Sequence, residues 1–165
     1  EEYLTALRDA QREGLTDHIG VSNFTCAQMD QAKEILGETP IFTNQVEVHP
    51  FLTNRKVVDA IQRAGLTVTA YMPLAVGKVL EDPTLKKLGE KYDASAAQVV
   101  LAWLHQKDIV VIPSSTKEAH LKANMAALDI RISSLPNRAT VSATMVLVAA
   151  SSETSVVSAR VSAPW

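Results

Sequence analysis

Apolar positions along the first 130 residues change period at short intervals. Leu4, Leu7 and Ala10 share one helical stripe, and Gly14 follows where a C-terminal cap is wanted. Ile19 and Val21 then share one face of an extended segment, predicting a strand over 18–21. Thr25 and Gln28 have the spacing of a capping box, predicting a helix from there to about Gly37. Residues 41–48, bracketed by Pro40 and Pro50, predict a second strand. Thr53 or Asn54 is placed to cap a helix that turns Val57, Val58, Ile61 and Ala64 inward and closes at Gly65. A third strand is predicted over 66–71, then helices over about 83–91 and 95–106, the second opened by a capping box from Ser95 to Gln98. Residues 109–112 are an unbroken apolar run, as in a strand covered on both faces. Ser115-Thr116-Lys117-Glu118 predicts a third capping box and a helix to about Ala127.

The order is a helix followed by four strand–helix units, which argues an α/β fold with a parallel sheet and right-handed crossovers. A doubly wound sheet and a (β/α)8 barrel compete. A dinucleotide-binding doubly wound domain calls for a glycine-rich turn after a strand, and the six glycines here sit mostly at helix ends. Each strand instead ends in polar or aromatic side chains: Ser22 and Asn23, then Gln45, Glu47 and His49, then Tyr71, then Ser114 and Ser115. That distribution suits a barrel whose site is assembled at the C-terminal ends of several strands. Four strands against the eight of a barrel of about 250 residues make this half a barrel.

Composition narrows the partners. The 165 residues are 47% apolar and 21% charged with net charge −2, which gives no electrostatic reason to expect nucleic acid or an anionic membrane. A single cysteine, Cys26, excludes an internal disulfide and fits a reducing compartment. No apolar run approaches a membrane span and no secretory signal opens the chain, so a soluble cytoplasmic protein is expected. The ends differ from the middle. Glu1-Glu2-Tyr3-Leu4 reads as a helix already under way, without an initiator methionine. From 134 to 165 the chain is crowded with Ser, Ala, Val and Thr, with only Arg138, Glu153 and Arg160 charged. The expected division is therefore 1–133 as the folded half barrel and 134–165 as an atypical tail, disordered or altered by a frame change near Ser133.

The stretches GLTDHIGVSNFT, TNQVEVHPFL, TAYMPLA and SAAQVVLAWLHQKDIVVIPSSTKEAHLKAN together resemble the aldo-keto reductases, and among these the bacterial 2,5-diketo-D-gluconate reductase type, the B enzyme in particular. The resemblance covers about residues 1–133 and matches the second half of the family's (β/α)8 TIM barrel, strands five to eight with their helices. It implies an NADP(H)-dependent oxidoreductase that reduces aldehydes or ketones, such as 2,5-diketogluconate or methylglyoxal, and is a monomer when complete. By the same resemblance Ser22, Asn23 and Gln45 hydrogen-bond the nicotinamide carboxamide, and Tyr71 stacks on the ring. Met72, Pro73 and Leu74 line the pyrophosphate. Ser114, Ser115, Thr116, Lys117 and His120 match the adenosine-phosphate site, and Asn124 matches the adenine contact. Two cations usual in that site are replaced by serine and by His120, which weakens the expected preference for NADP over NAD.

The same residues have structural explanations. Tyr71 suits a core or rim position, and Ser115 a simple N-cap. His18, His49, His105 and His120 lack metal-ligand spacing. His49-Pro50 suits a turn, Glu47 a structural charge, Trp103 a core position beside Val99, and Cys26 a small buried apolar group. No segment matches the family's tyrosine acid or the aspartate, lysine and histidine that tune it, and Tyr3, Tyr71 and Tyr92 lie in other contexts. A half barrel also leaves its first strand with an unpaired edge. Three functions follow: the cofactor-binding half of a reductase, inactive alone; a non-catalytic nicotinamide-nucleotide-binding or regulatory module; or a non-functional gene fragment.

Overall fold

The computed structural model describes residues 1–133, so the expectations for 134–165 lie outside the described residues. The chain folds as two compact units, one of Glu1–Val46 with Asn54–Thr69, the other of Glu47–Thr53 with the chain from Ala70 onward.

The first unit holds α1 (Glu2–Arg12), β1 (Ile19–Ser22), α2 (Cys26–Leu36), β2 (Ile41–Glu47, up to Val46), α3 (Arg55–Arg63) and the first residues of β3 (Thr67–Tyr71). Leu4, Ile19, Met29, Ala32, Leu36 and Ile41 bury together, drawing one stripe of α1 and α2 against the strands. The predicted capping box opens α2: Gln28 N–H donates to Thr25 Oγ1 at 3.3 Å, and Thr25 N–H donates to Gln28 Oε1 at 2.9 Å. Asn54 takes the cap position of α3 in a left-handed conformation, φ 47°, without a side-chain cap bond.

β1 and β2 run parallel, and their register is shifted once. Ile19 pairs with Ile41, but Gly20 pairs with Thr43, so Phe42 is the extra residue of a bulge. From there the pairing continues to Ser22 opposite Gln45. Among the described strands β1 neighbours β2 alone, which leaves the expected open edge.

The second unit contains the end of β3, a 3-10 turn (Ala75–Gly77), α4 (Lys78–Glu81), α5 (Pro83–Lys91), α6 (Ala96–His105), β4 (Ile109–Val111), α7 (Glu118–Ala126) and a closing 3-10 turn (Ala127–Asp129). α6 is apolar nearly all round and buries Ala96, Val99, Val100, Leu101, Ala102 and Leu104. Its box forms as predicted, with Gln98 N–H on Ser95 Oγ at 3.2 Å and Ser95 N–H on Gln98 Oε1 at 3.0 Å. α5 starts at Pro83 behind Asp82, whose Oδ1 accepts from Leu85 N–H at 2.9 Å. β4 neighbours β3, and Ile112 N–H still donates to Ala70 O at 3.3 Å beyond the last strand residue.

Several expectations change. Ala64, placed inward by the helical pattern, is exposed. The third capping box does not form: α7 begins at Glu118, and Lys117 at the cap position makes no side-chain cap bond. Ser115 lies too far upstream for N3 and instead accepts from Lys117 N–H at 3.1 Å, a local serine turn. Trp103 is half-buried: it packs against Val99, Ala102 and Ile132, while the Lys107 ammonium stands 5.3 Å from its ring centroid. Cys26 is likewise half-buried rather than core.

Candidate cofactor site

In the first unit, the parallel ladder ends where Asn23 turns left-handed, at φ 58°. Asparagine tolerates this conformation better than most residues. Both ends of that turn are tied to β2. Asn23 N–H donates to Gln45 O at 2.8 Å, and Ser22 Oγ donates to the same carbonyl at 3.1 Å. Ser22, Asn23 and Gln45, expected to act together, are therefore brought together by the register of two strands. Because the Ser22 proton is committed to Gln45 O, its hydroxyl oxygen is left as an acceptor toward a ligand. Ser22 and Asn23 are exposed and Gln45 is half-buried.

Asn44 was not singled out in the sequence. It is fully buried, and its amide makes two bonds to one neighbour: Nδ2 donates to Phe24 O at 2.9 Å, and Oδ1 accepts from Phe24 N–H at 3.3 Å. The only available signal was an amide at a buried position of a strand.

In the second unit, Tyr71 ends β3 and is half-buried. The chain then makes a tight loop in which Met72, Ala75 and Val76 all have positive φ, at 47°, 50° and 53°. Ala75 N–H closes onto Met72 O at 2.8 Å and Gly77 N–H onto Leu74 O at 2.9 Å. Three left-handed non-glycine residues cost of order 1–3 kcal/mol each, a density typical of ligand-holding loops. Met72 is 51% and Val76 80% exposed, whereas Pro73 is buried and Leu74 half-buried. Nothing in the residue types announced this strain.

Farther along this unit, Ser115 Oγ lies 3.3 Å from His120 Nδ1 while accepting from Lys117 N–H. Ser115, Lys117 and His120 thus gather at the start of α7, with Ser114, Thr116, Lys117 and His120 exposed. Glu118 is engaged by Lys122 at 2.7 Å. Asn124 is buried within α7, at 6% exposure.

The remaining histidine and tyrosine features are structural. His49 and Leu52 exchange backbone bonds of 3.0 Å, so His49-Pro50 is a turn as expected, and His49 Nε2 pairs with Glu47 Oε1 at 3.0 Å. Among the described groups, two have displaced pKa values, and neither is a site candidate. The Ser133 hydroxyl lowers that of Tyr92 by hydrogen bonding. Burial, then the Arg131 charge, lowers that of His105 against the pull of Asp108. Among the described residues no cluster of His, Cys, Asp or Glu is suited to a metal, and no helix is long and apolar enough to cross a membrane.

The strand–helix alternation and polar strand ends accord with a match of residues 1–137 to the aldo/keto reductase family. The chain belongs to that family, and its α/β fold is part of the family's (β/α)8 barrel. It is 44% identical over 132 residues to the methylglyoxal reductase DkgB of Escherichia coli O157:H7, covering 80% of this chain and 49% of that one. A crystal structure provisionally assigned as a 2,5-diketo-D-gluconic acid reductase B superposes with TM-score 0.73 at 42% identity, covering 76% of this chain and 45% of the other. The NADPH complex of a Gox0644 mutant superposes with TM-score 0.72 at 30% identity, covering 76% and 46%. The chain spans about half the length of these relatives.

Proposed function

We propose that the chain is the cofactor-binding, C-terminal half of an aldo/keto reductase that uses NADP(H) to reduce a small carbonyl compound, methylglyoxal or a 2,5-diketogluconate-like sugar acid. The observation that carries this reading is the Ser22–Asn23 turn bonded twice to the Gln45 carbonyl. A carboxamide offers two N–H donors and one carbonyl acceptor, and the set presents both kinds of partner. The Ser22 oxygen accepts, and the Asn23 and Gln45 amides both donate and accept. The donor set fits a nicotinamide. Tyr71 would cover one ring face, leaving the other toward the substrate. Met72, Pro73 and Leu74 would run along the pyrophosphate. Ser114, Ser115, Thr116, Lys117 and His120 would receive the 2′-phosphate, and Asn124 would face the adenine. When bound, the reduced nicotinamide supplies hydride to the carbonyl carbon.

In this reading the chain's residues bind and orient that donor, and the proton donor belongs to the rest of the barrel. Tyr92 is committed to Ser133, Tyr71 to the ring and Tyr3 to an exposed helix face, 56% open to solvent. The reading as a non-catalytic nucleotide-binding module rests on no segment of the sequence matching the family's tyrosine acid. With Ser114 and His120 in place of the family's two usual cations, and Lys117 left to hold an anion, the NADP preference is weakened. Fluorescence titration of the chain with NADPH and NADH tests this. Saturable binding, weakened at least about tenfold (~1.4 kcal/mol) by Gln45→Ala as expected for lost hydrogen bonds to a ligand, supports the reading. Absence of binding to both nucleotides sinks it.

A further inference from the structure

We propose that Asn44 is a positioning residue that holds the Ser22–Asn23 turn in its carboxamide-binding shape, an inference that rests on the nicotinamide reading above. A fully buried amide within a strand is costly unless both its donor and its acceptor are used. Asn44 spends both on one residue, Phe24, the first beyond the turn. The left-handed step at Asn23 takes the chain out of the β1–β2 ladder, so Phe24 N–H and C=O no longer meet the backbone of β2. The Asn44 side chain, itself a primary amide, takes the place of the missing peptide group. The turn is therefore held from two adjacent positions of β2: Asn23 N–H on the Gln45 carbonyl, and Phe24 on the Asn44 amide. Phe24 in turn packs against the first core cluster, so the amide fixes both the turn and its anchor. Removing it frees Ser22 and Asn23 to sample shapes in which their polar groups no longer converge on a ligand.

Few side chains can do this. Leucine fills a similar volume with neither donor nor acceptor. An ionised aspartate keeps the acceptor and loses the donor. A protonated aspartate restores both, and burial raises a carboxyl pKa so that this form is reached in mild acid. The test compares the chain with its Asn44→Leu and Asn44→Asp variants at pH 7.5 and pH 5.0. Each is measured by calorimetric titration with NADP+ and by hydrogen exchange of residues 22–25, corrected for intrinsic rates. Asn44→Leu is expected to bind NADP+ roughly tenfold more weakly than the unmodified chain at both pH values, as for two lost buried hydrogen bonds. Asn44→Asp is expected to do so only at pH 7.5, recovering both affinity and protection at pH 5.0. Should Asn44→Leu not fold, the pH-dependent recovery of Asn44→Asp decides alone. An unmodified chain that binds while Asn44→Asp binds equally well at both pH values overturns the role of Asn44. Loss in Asn44→Asp without recovery in acid overturns it as well, by reducing Asn44 to general packing. An unmodified chain that binds no NADP+ overturns the cofactor reading itself.

Discussion

Gly20 lets β1 approach β2 at the shifted register. A Cβ there would stand 2.7 Å from Thr43 Cγ2 and 3.1 Å from Thr43 O. Thr43 has little freedom to yield, because its hydroxyl is 2.9 Å from Thr67 O and 2.8 Å from Thr69 Oγ1. Alanine usually improves on glycine inside a strand by roughly 0.5–1 kcal/mol, but an overpacked contact against backbone costs about 1–3 kcal/mol. Gly20→Ala is therefore expected to lower the urea midpoint, and an unchanged or higher midpoint would show that the register relaxes freely. Ser22 and Asn23 were conspicuous in the sequence because polar groups ended an apolar strand. Asn44 was not: its spacing from Val46 and Val48 puts it on their buried face, but nothing in TNQVEV tells which backbone groups its amide meets. Those partners are set by the β1–β2 register, shifted at Phe42, a feature of pairing between strands.

At the scale of elements, the two reciprocal capping boxes were legible because the spacing of serine or threonine to glutamine is local. The third failed because Ser115 serves a turn before the helix rather than the helix itself. Ser95→Ala is thus expected to cost about 1 kcal/mol, and Ser115→Ala less than half of that, by chemical denaturation. Equal costs would contradict the different roles. The end of α6 carries a pH dependence. His105 is held neutral by burial, with Arg131 adding to the effect. The unfolded chain takes up this proton near pH ~6.5 and the folded chain only at lower pH. Its stabilising contribution is therefore intact above about 6.5 and lost as the pH falls toward the lower folded value. Between pH 8 and pH 5 the chain should lose more stability than His105→Gln, and parallel profiles would refute the assignment. The adjoining segment is docked by Ile132, whose N–H reaches Gln106 Oε1 at 2.8 Å and whose side chain is 5% exposed.

At the scale of the molecule, the chain corresponds to about half of its relatives. If the proposed function is right, the chain alone should show no aldehyde-dependent NADPH oxidation. Co-expression with the remaining half of a homologous barrel should restore methylglyoxal reduction, and Gln45→Ala should diminish it. Turnover by the chain alone would sink the claim that its proton donor lies elsewhere. The alternation of strands and helices was legible by itself, because 3.6-residue and two-residue apolar periods and local caps are written in near neighbours. So were the polar strand ends, and with them the family. Tertiary structure alone decided the register that sets Ser22 opposite Gln45, the buried amide that holds Phe24, and the strained run from Met72 to Val76. Each depends on contacts between segments far apart in the chain or on backbone angles that ordinary residues disfavour, and neither leaves a periodic trace in the sequence.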